Sequence, residues 1–164
     1  MSTPLAPTPV QPGAEILDRI LANRGCLIAL EDVDSETLIA QLRQLVRRSG
    51  QAVYLWHPSA GLGNLREEHA VMAGSQRLGL VLRYIQQSNH FGVYFLKDVP
   101  TPMAGPDAAL VRQLARTATG HIRRIVLLDA PSNLVDGFND VIVRMSCQVK
   151  AAQRPRLRDG RWLL

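Results

Sequence analysis

What this chain of 164 residues lacks narrows its chemistry before anything present is read. Its apolar runs are strand-sized and broken by charges, which excludes a membrane-spanning helix of roughly 20 residues. The first twelve residues, Met1 to Pro12, have no basic start and no apolar core, so they read as a disordered proline-rich lead and not a signal peptide. Only two cysteines occur, Cys26 and Cys147, both inside predicted strands. They are expected to be buried, unpaired thiols, which fits a cytoplasmic protein. His57, His69, His90 and His121 are isolated, with no i,i+4 partner and no cysteine at ligand spacing, so no metal site is expected. His57 lies beside Ser59, but the G-x-S-x-G elbow of a serine hydrolase is missing. No G-x-x-x-x-G-K-S/T loop exists to cradle a phosphate, and no cofactor is expected.

What is present suits one globular domain. The hydrophobic fraction of 46% and charged fraction of 20% are ordinary, and the length supports a single core. We assign residues 13–149 to an α/β domain and 150–164 to a basic tail or hairpin. From Val141 onward six basic residues face one acid, which accounts for the whole formal excess of +5. Arg154, Arg156, Arg158 and Arg161, with Trp162 as a stacking candidate, form a patch able to attract nucleic acid, acidic protein or anionic lipid. A solvated edge that aids solubility is the plainer reading, because helix-turn-helix, zinc-ligand and RNP signatures are missing.

Helical and strand-like segments alternate. Ile16, Leu17, Ile20 and Leu21 mark one face of a helix near residues 14–23, stopped by Gly25. Cys26–Leu30 is a continuous apolar run, as in a strand covered on both faces. Asp34 or Ser35 caps a helix that reaches Ser49, with Leu38, Ile39, Leu42, Leu45 and Val46 as its stripe. A strand follows at 52–56, closed by His57-Pro58. The Gly-rich stretch 59–75 is expected to be a long loop with at most a short helical turn. A helix at 76–87, a strand at 91–99, a helix capped by Asp107 and ended by Gly120, and strands at 122–128 and 141–145 complete the pattern. Strands spaced by helices predict a three-layer sandwich around a mostly parallel, five-stranded sheet.

Three apolar strands end in acid: Glu31-Asp32, Asp98 and Asp129. In a P-loop nucleotide hydrolase such a residue helps direct magnesium. A carboxylate without the phosphate loop seldom holds Mg²⁺, so Asp98 and Asp129 read as vestiges or loop caps. Gly61-x-Gly63 resembles a phosphate turn only superficially, because position 66 is Arg66 where a dinucleotide fingerprint needs glycine. Arg66 and nearby backbone amides remain an anion candidate.

A resemblance runs through these pieces. Leu27-Ile-Ala-Leu-Glu-Asp-Val-Asp-Ser-Glu36 resembles the first strand and acidic exit of one family's P-loop-lacking domain. In that family, of bacterial and plastid AAA ATPases, the domain precedes the catalytic module. Its second strand ends in an aromatic and a Gly-Leu loop, to which Tyr54-Leu-Trp-His-Pro-Ser-Ala-Gly-Leu62 is similar. Its third strand meets an aspartate and often a proline, as in Tyr94-Phe-Leu-Lys-Asp-Val-Pro100. A helix with Leu110-Val-Arg-Gln-Leu114 then leads to Ile125-Val-Leu-Leu128, so order and spacing agree from Ile16 to Met145. The resemblance implies a degenerate P-loop NTPase-like fold, standing alone here, used for interaction or regulation. The family's catalytic residues belong to the module that follows, so none transfers.

The expected function is therefore a non-catalytic module that binds a protein partner, an AAA ATPase or another copy of itself. The interaction surface is assigned to Trp56, His57, Arg66, Asp98, Asp129 and the tail. Weak nucleotide binding or hydrolysis through Asp98 and nucleic-acid association through the tail are the alternatives.

Overall fold

The computed structural model describes residues 12–67, 71–119 and 122–147. Within them the chain order is α1 (Gly13–Ala22), β1 (Leu27–Glu31), α2 (Ser35–Arg48), β2 (Val53–His57), β3 (Gly61–Asn64), α3 (Leu78–Gln87), β4 (Gly92–Lys97), α4 (Gly105–Arg116), β5 (Arg123–Leu128), α5 (Ser132–Asp136) and β6 (Ile142–Ser146). The basic tail with Arg154, Arg156, Arg158, Arg161 and Trp162, and the proline-rich lead up to Gln11, lie outside the described residues. No helix among the described residues is long and apolar enough to cross a membrane.

The strands form one sheet in the order β3-β2-β4-β5-β1-β6. Every pairing is parallel except that of β2 with β3. Alternating side chains divide the interior into two cores, because successive strand residues face opposite sides. Val93 and Phe95 of β4 and Val126 and Leu128 of β5 pack with α1 and α2 through Ile16, Leu17, Ile20, Leu38, Leu42 and Val46. Tyr94 and Leu96, with Ile125 and Leu127, pack on the other face against Leu82 and Ile85 of α3, Val111 and Leu114 of α4, and Leu134 of α5. Each of these side chains contributes about 1.5–3 kcal/mol of burial. Both faces are covered, which explains the uninterrupted apolar runs of β4 and β5.

The architecture is the expected three-layer α/β sandwich, with corrections in detail. The sheet has six strands where five were expected, because Gly61–Asn64 folds back antiparallel on β2 with Tyr54 opposite Asn64 and His57 opposite Gly61. Two glycines gave that segment no strand signature; pairing with an edge strand and a turn at φ 88° at Gly61 override weak local propensity. α5 also escaped, since five residues show no periodicity. Asp107 does not cap α4: the cap position is Ala104, and Asp107 sits in the first turn after Pro106, where its charge favours the positive helix end. α1 stops before Gly25, where the Asn23 side chain accepts the Gly25 N–H at 2.8 Å. α4 ends at Arg116, and Gly120 lies outside the described residues. Cys26 and Cys147 flank strands and are free, Cys147 fully buried and Cys26 partly so. Burial pushes the Cys147 thiol up to about 11.

Candidate functional site

Three adjacent parallel strands, β4, β5 and β1, end at one edge of the sheet, and each is followed by an aspartate. Asp98, Asp129 and Asp32 have φ of 55°, 56° and 57°, and no other non-glycine residue described has positive φ. Left-handed backbone is costly for most L-residues, but a short carboxylate can hydrogen-bond locally and tolerates it. The chain turns sharply at each strand end, and aspartate is a residue type that permits the turn. The repeated acids thus have a structural cause.

Each carboxylate is also tied to a neighbouring element. Asp129 Oδ1 accepts the hydroxyl of Ser35, the first residue of α2, at 2.8 Å. Asp32 Oδ2 accepts the Ser146 hydroxyl from the end of β6 at 3.1 Å. Asp98 Oδ2 lies 3.1 Å from His57 Nε2 at the end of β2. Glu31 meets Arg144 of β6 at 3.5 Å, and Arg144 also binds Asp136. The partners Ser35, Ser146 and Arg144 had no sequence signal beyond their place beside a strand or helix end.

Open parallel sheets bind ligands in the crevice beyond their strands' carboxyl ends. Here that crevice, between β1 and β5, has a volume of about 440 Å³ and is lined by Glu31, Asp32 and Asp129 with Arg144 as its cation. A phosphate loop must fit between the first strand and the helix after it. In this chain that connection is Asp32-Val33-Asp34, three residues with two acids and neither glycine nor lysine. Asp34 turns its carboxylate to the Thr37 hydroxyl at 2.6 Å. An acidic lining repels a polyphosphate instead of gripping it. Among the described residues no three His, Cys, Asp or Glu side chains come together to share a metal ion.

Ser59, His57 and Asp98 do come together. Ser59 Oγ lies 2.6 Å from His57 Nδ1, and Asp98 lies on the opposite ring nitrogen. The order matches a hydrolase triad, yet the amides nearest the hydroxyl are committed. Ser59 N–H donates to His57 Nδ1 at 3.1 Å and Ala60 N–H to the His57 carbonyl at 3.2 Å. An oxyanion needs amides of this kind free and aimed at it. The group is a tight turn that locks the β2–β3 hairpin to β4.

One residue assigned to an interaction surface belongs in the core, and a second is tied to a helix end at the surface. Trp56 is fully buried, its indole N–H donating to the Ser75 carbonyl at 2.7 Å, because its position on β2 faces the α3 side of the core. Arg66 is drawn to the end of α2, where Nε and Nη2 reach the Val46 carbonyl at 3.3 Å and Nη2 also reaches that of Ser49. The side chain stays exposed, and the donors that reach these carbonyls offset the negative helix end. His57 and Asp98 are partly exposed.

The profile of the family described as "SpoVK-like AAA ATPase, N-terminal domain" matches residues 14–145, which span all the secondary-structure elements but the ends of α1 and β6. No curated protein matches the chain.

Proposed function

Since the chain belongs to the family of SpoVK-like AAA ATPase N-terminal domains, we propose that it is a non-catalytic module that binds a protein partner, an AAA ATPase subunit. One observation carries this reading: the position of a phosphate loop is held by Asp32-Val33-Asp34, and the strand-end carboxylates bond within the domain. Asp129 occupies the start of α2 with the negative charge that a nucleotide phosphate would otherwise bring to a helix N-terminus. Such a sheet keeps the shape of a nucleotide-binding domain and lines its ligand-binding edge with its own acids. Family membership supports a partner of AAA type.

Calorimetric titration with Mg-ATP tests the non-catalytic half of the reading. No saturable heat at micromolar affinity is expected, and a clear isotherm would overturn it. Affinity capture of the full chain from its native cell, followed by mass spectrometry, tests the other half. An AAA ATPase subunit should be enriched over a control, and its consistent absence would remove the partner assignment.

A further inference from the structure

The opposite edge of the sheet has the opposite chemistry. Where β1 and β5 begin and α4 ends, a cavity of about 480 Å³ is lined by Arg24, Arg116, Arg123 and Arg124 with Cys26, and among the described residues no acid lines it. Arg123 is the telling member. It is only 4% exposed, and its Nη1 donates to the Ile85 carbonyl at the end of α3 at 3.2 Å. Its Nε is buried without a hydrogen-bond partner. A guanidinium is rarely buried unless its donors are met and its charge is balanced. Among the described residues neither Arg123 nor Arg124 pairs with a carboxylate.

Two of the neighbouring cations are held in place by other bonds. Arg124 donates to the Ile20, Leu21 and Asn23 carbonyls at the end of α1, at 3.2, 3.3 and 2.6 Å. Arg116 is anchored through Nη2 to Asp140 at 2.7 Å, and Asp140 is shared with Arg112. Fixed arginines around a polar cavity form a preorganised receptor for a dianion, because guanidinium forks match phosphate oxygens and lose little freedom on binding.

We propose that this amino-edge cavity is a binding site for a phosphate group, with Arg123 as its buried anchor and Arg24, Arg116 and Arg124 completing the charge. The volume accommodates a small phosphorylated molecule. The site lies at the other end of the strands from the acidic crevice, so it does not depend on the reading of that edge and carries no implication of hydrolysis.

Inorganic phosphate, pyrophosphate and O-phosphoserine are titrated into the full chain at ionic strength held constant with sodium chloride. Calorimetry reads affinity. The rate of thiol labelling provides a second readout, because Cys26 lines the cavity whereas Cys147 is fully buried. Saturable binding and slower Cys26 labelling are expected. Arg24→Gln with Arg116→Gln, at the rim, should weaken binding at least about tenfold, as lost charge-assisted bonds require. Arg123→Gln should abolish binding, and the double variant retains a test should Arg123→Gln fail to fold. Tighter pyrophosphate points to a diphosphate-bearing small molecule, tighter phosphoserine to a modified residue, and either supports a phosphate site. Labelling rates that follow ionic strength alone, or an affinity unchanged in the double variant, would overturn the proposal.

Discussion

Replacing Asp98 in turn with asparagine, glycine and alanine separates turn chemistry from metal chemistry at the carboxyl edge. With φ at 55°, position 98 demands left-handed backbone, which costs an ordinary L-residue roughly 1–2 kcal/mol. Asparagine keeps both the local tolerance and an oxygen for His57 Nε2. Its cost is confined to the half-exposed contact at 3.1 Å, at most about 1 kcal/mol. Alanine loses the contact and the tolerance, for a total of about 1–3 kcal/mol. Glycine loses the contact but adopts the backbone freely, while the freer unfolded chain costs it about 0.4–1 kcal/mol. The expected order of stability is therefore aspartate, asparagine, glycine, alanine. For a domain of this size 1 kcal/mol moves the melting temperature by about 2–4 °C, so alanine should melt about 2–12 °C below the parent. Thermal and urea melts with and without millimolar magnesium make the measurement. An alanine variant as stable as the glycine variant would refute the backbone argument. Magnesium-dependent stabilisation of the parent, lost in all three variants, would restore a metal role.

Trp56→Phe removes the indole bond to the Ser75 carbonyl and leaves a void, so urea unfolding should show a loss of about 2 kcal/mol, and an unchanged midpoint would argue against the buried placement. Gly61→Ala places a Cβ 2.5 Å from Ser75 Oγ at a φ of 88°, and should free the β3 amides to hydrogen exchange while the β4 and β5 amides stay protected. Equal protection throughout would show that the hairpin tolerates the side chain. Burial pushes the Tyr94 phenol up to about 12, so the folded chain holds this proton more tightly than the unfolded one. Its contribution is complete below the ordinary value of 10 and is lost as pH rises from 10 through 12. Tyr94→Phe should flatten that decline in a series of alkaline melts, and an identical slope would contradict it.

The layered fold was legible because its strands are buried on both faces. Leu27–Leu30 and Ile125–Leu128 are apolar at every position, and the helices between strands carry period-3.6 stripes that the structure buries. The hairpin was not legible. Gly61–Asn64 owes its strand to the free edge of β2, a tertiary fact that local propensity does not encode. The strand-end acids were visible, but their cause was not, because positive φ leaves no periodic trace. Trp56 shows the same limit: an aromatic just before His57-Pro58 reads equally as a rim residue or a core anchor, and the facing α3 decides. The arginine cavity brings together Arg24, Arg116 and Arg123, which are far apart in sequence, while the eye is drawn to the denser basic tail.

The polarity of a parallel α/β domain gives the two edges a common origin. Each strand runs from the amino edge to the carboxyl edge and hands the chain to a helix that starts there, so helix N-termini gather at one edge and C-termini at the other. The macrodipoles make the carboxyl edge positive and the amino edge negative. This chain neutralises both with its own side chains. Asp129 reaches the start of α2, while Arg66, Arg124 and Arg123 donate to the ends of α2, α1 and α3. In a working P-loop enzyme the positive edge is kept open and a nucleotide phosphate supplies the missing charge. Placing the acid in the chain itself removes the vacancy that made the edge a binding site. At the amino edge the compensation overshoots, since Arg24, Arg116, Arg123 and Arg124 line one cavity and a buried Arg123 Nε has no bond. An external anion is therefore favoured at the edge where nucleotide-binding sheets do not place one, and disfavoured at the edge where they do.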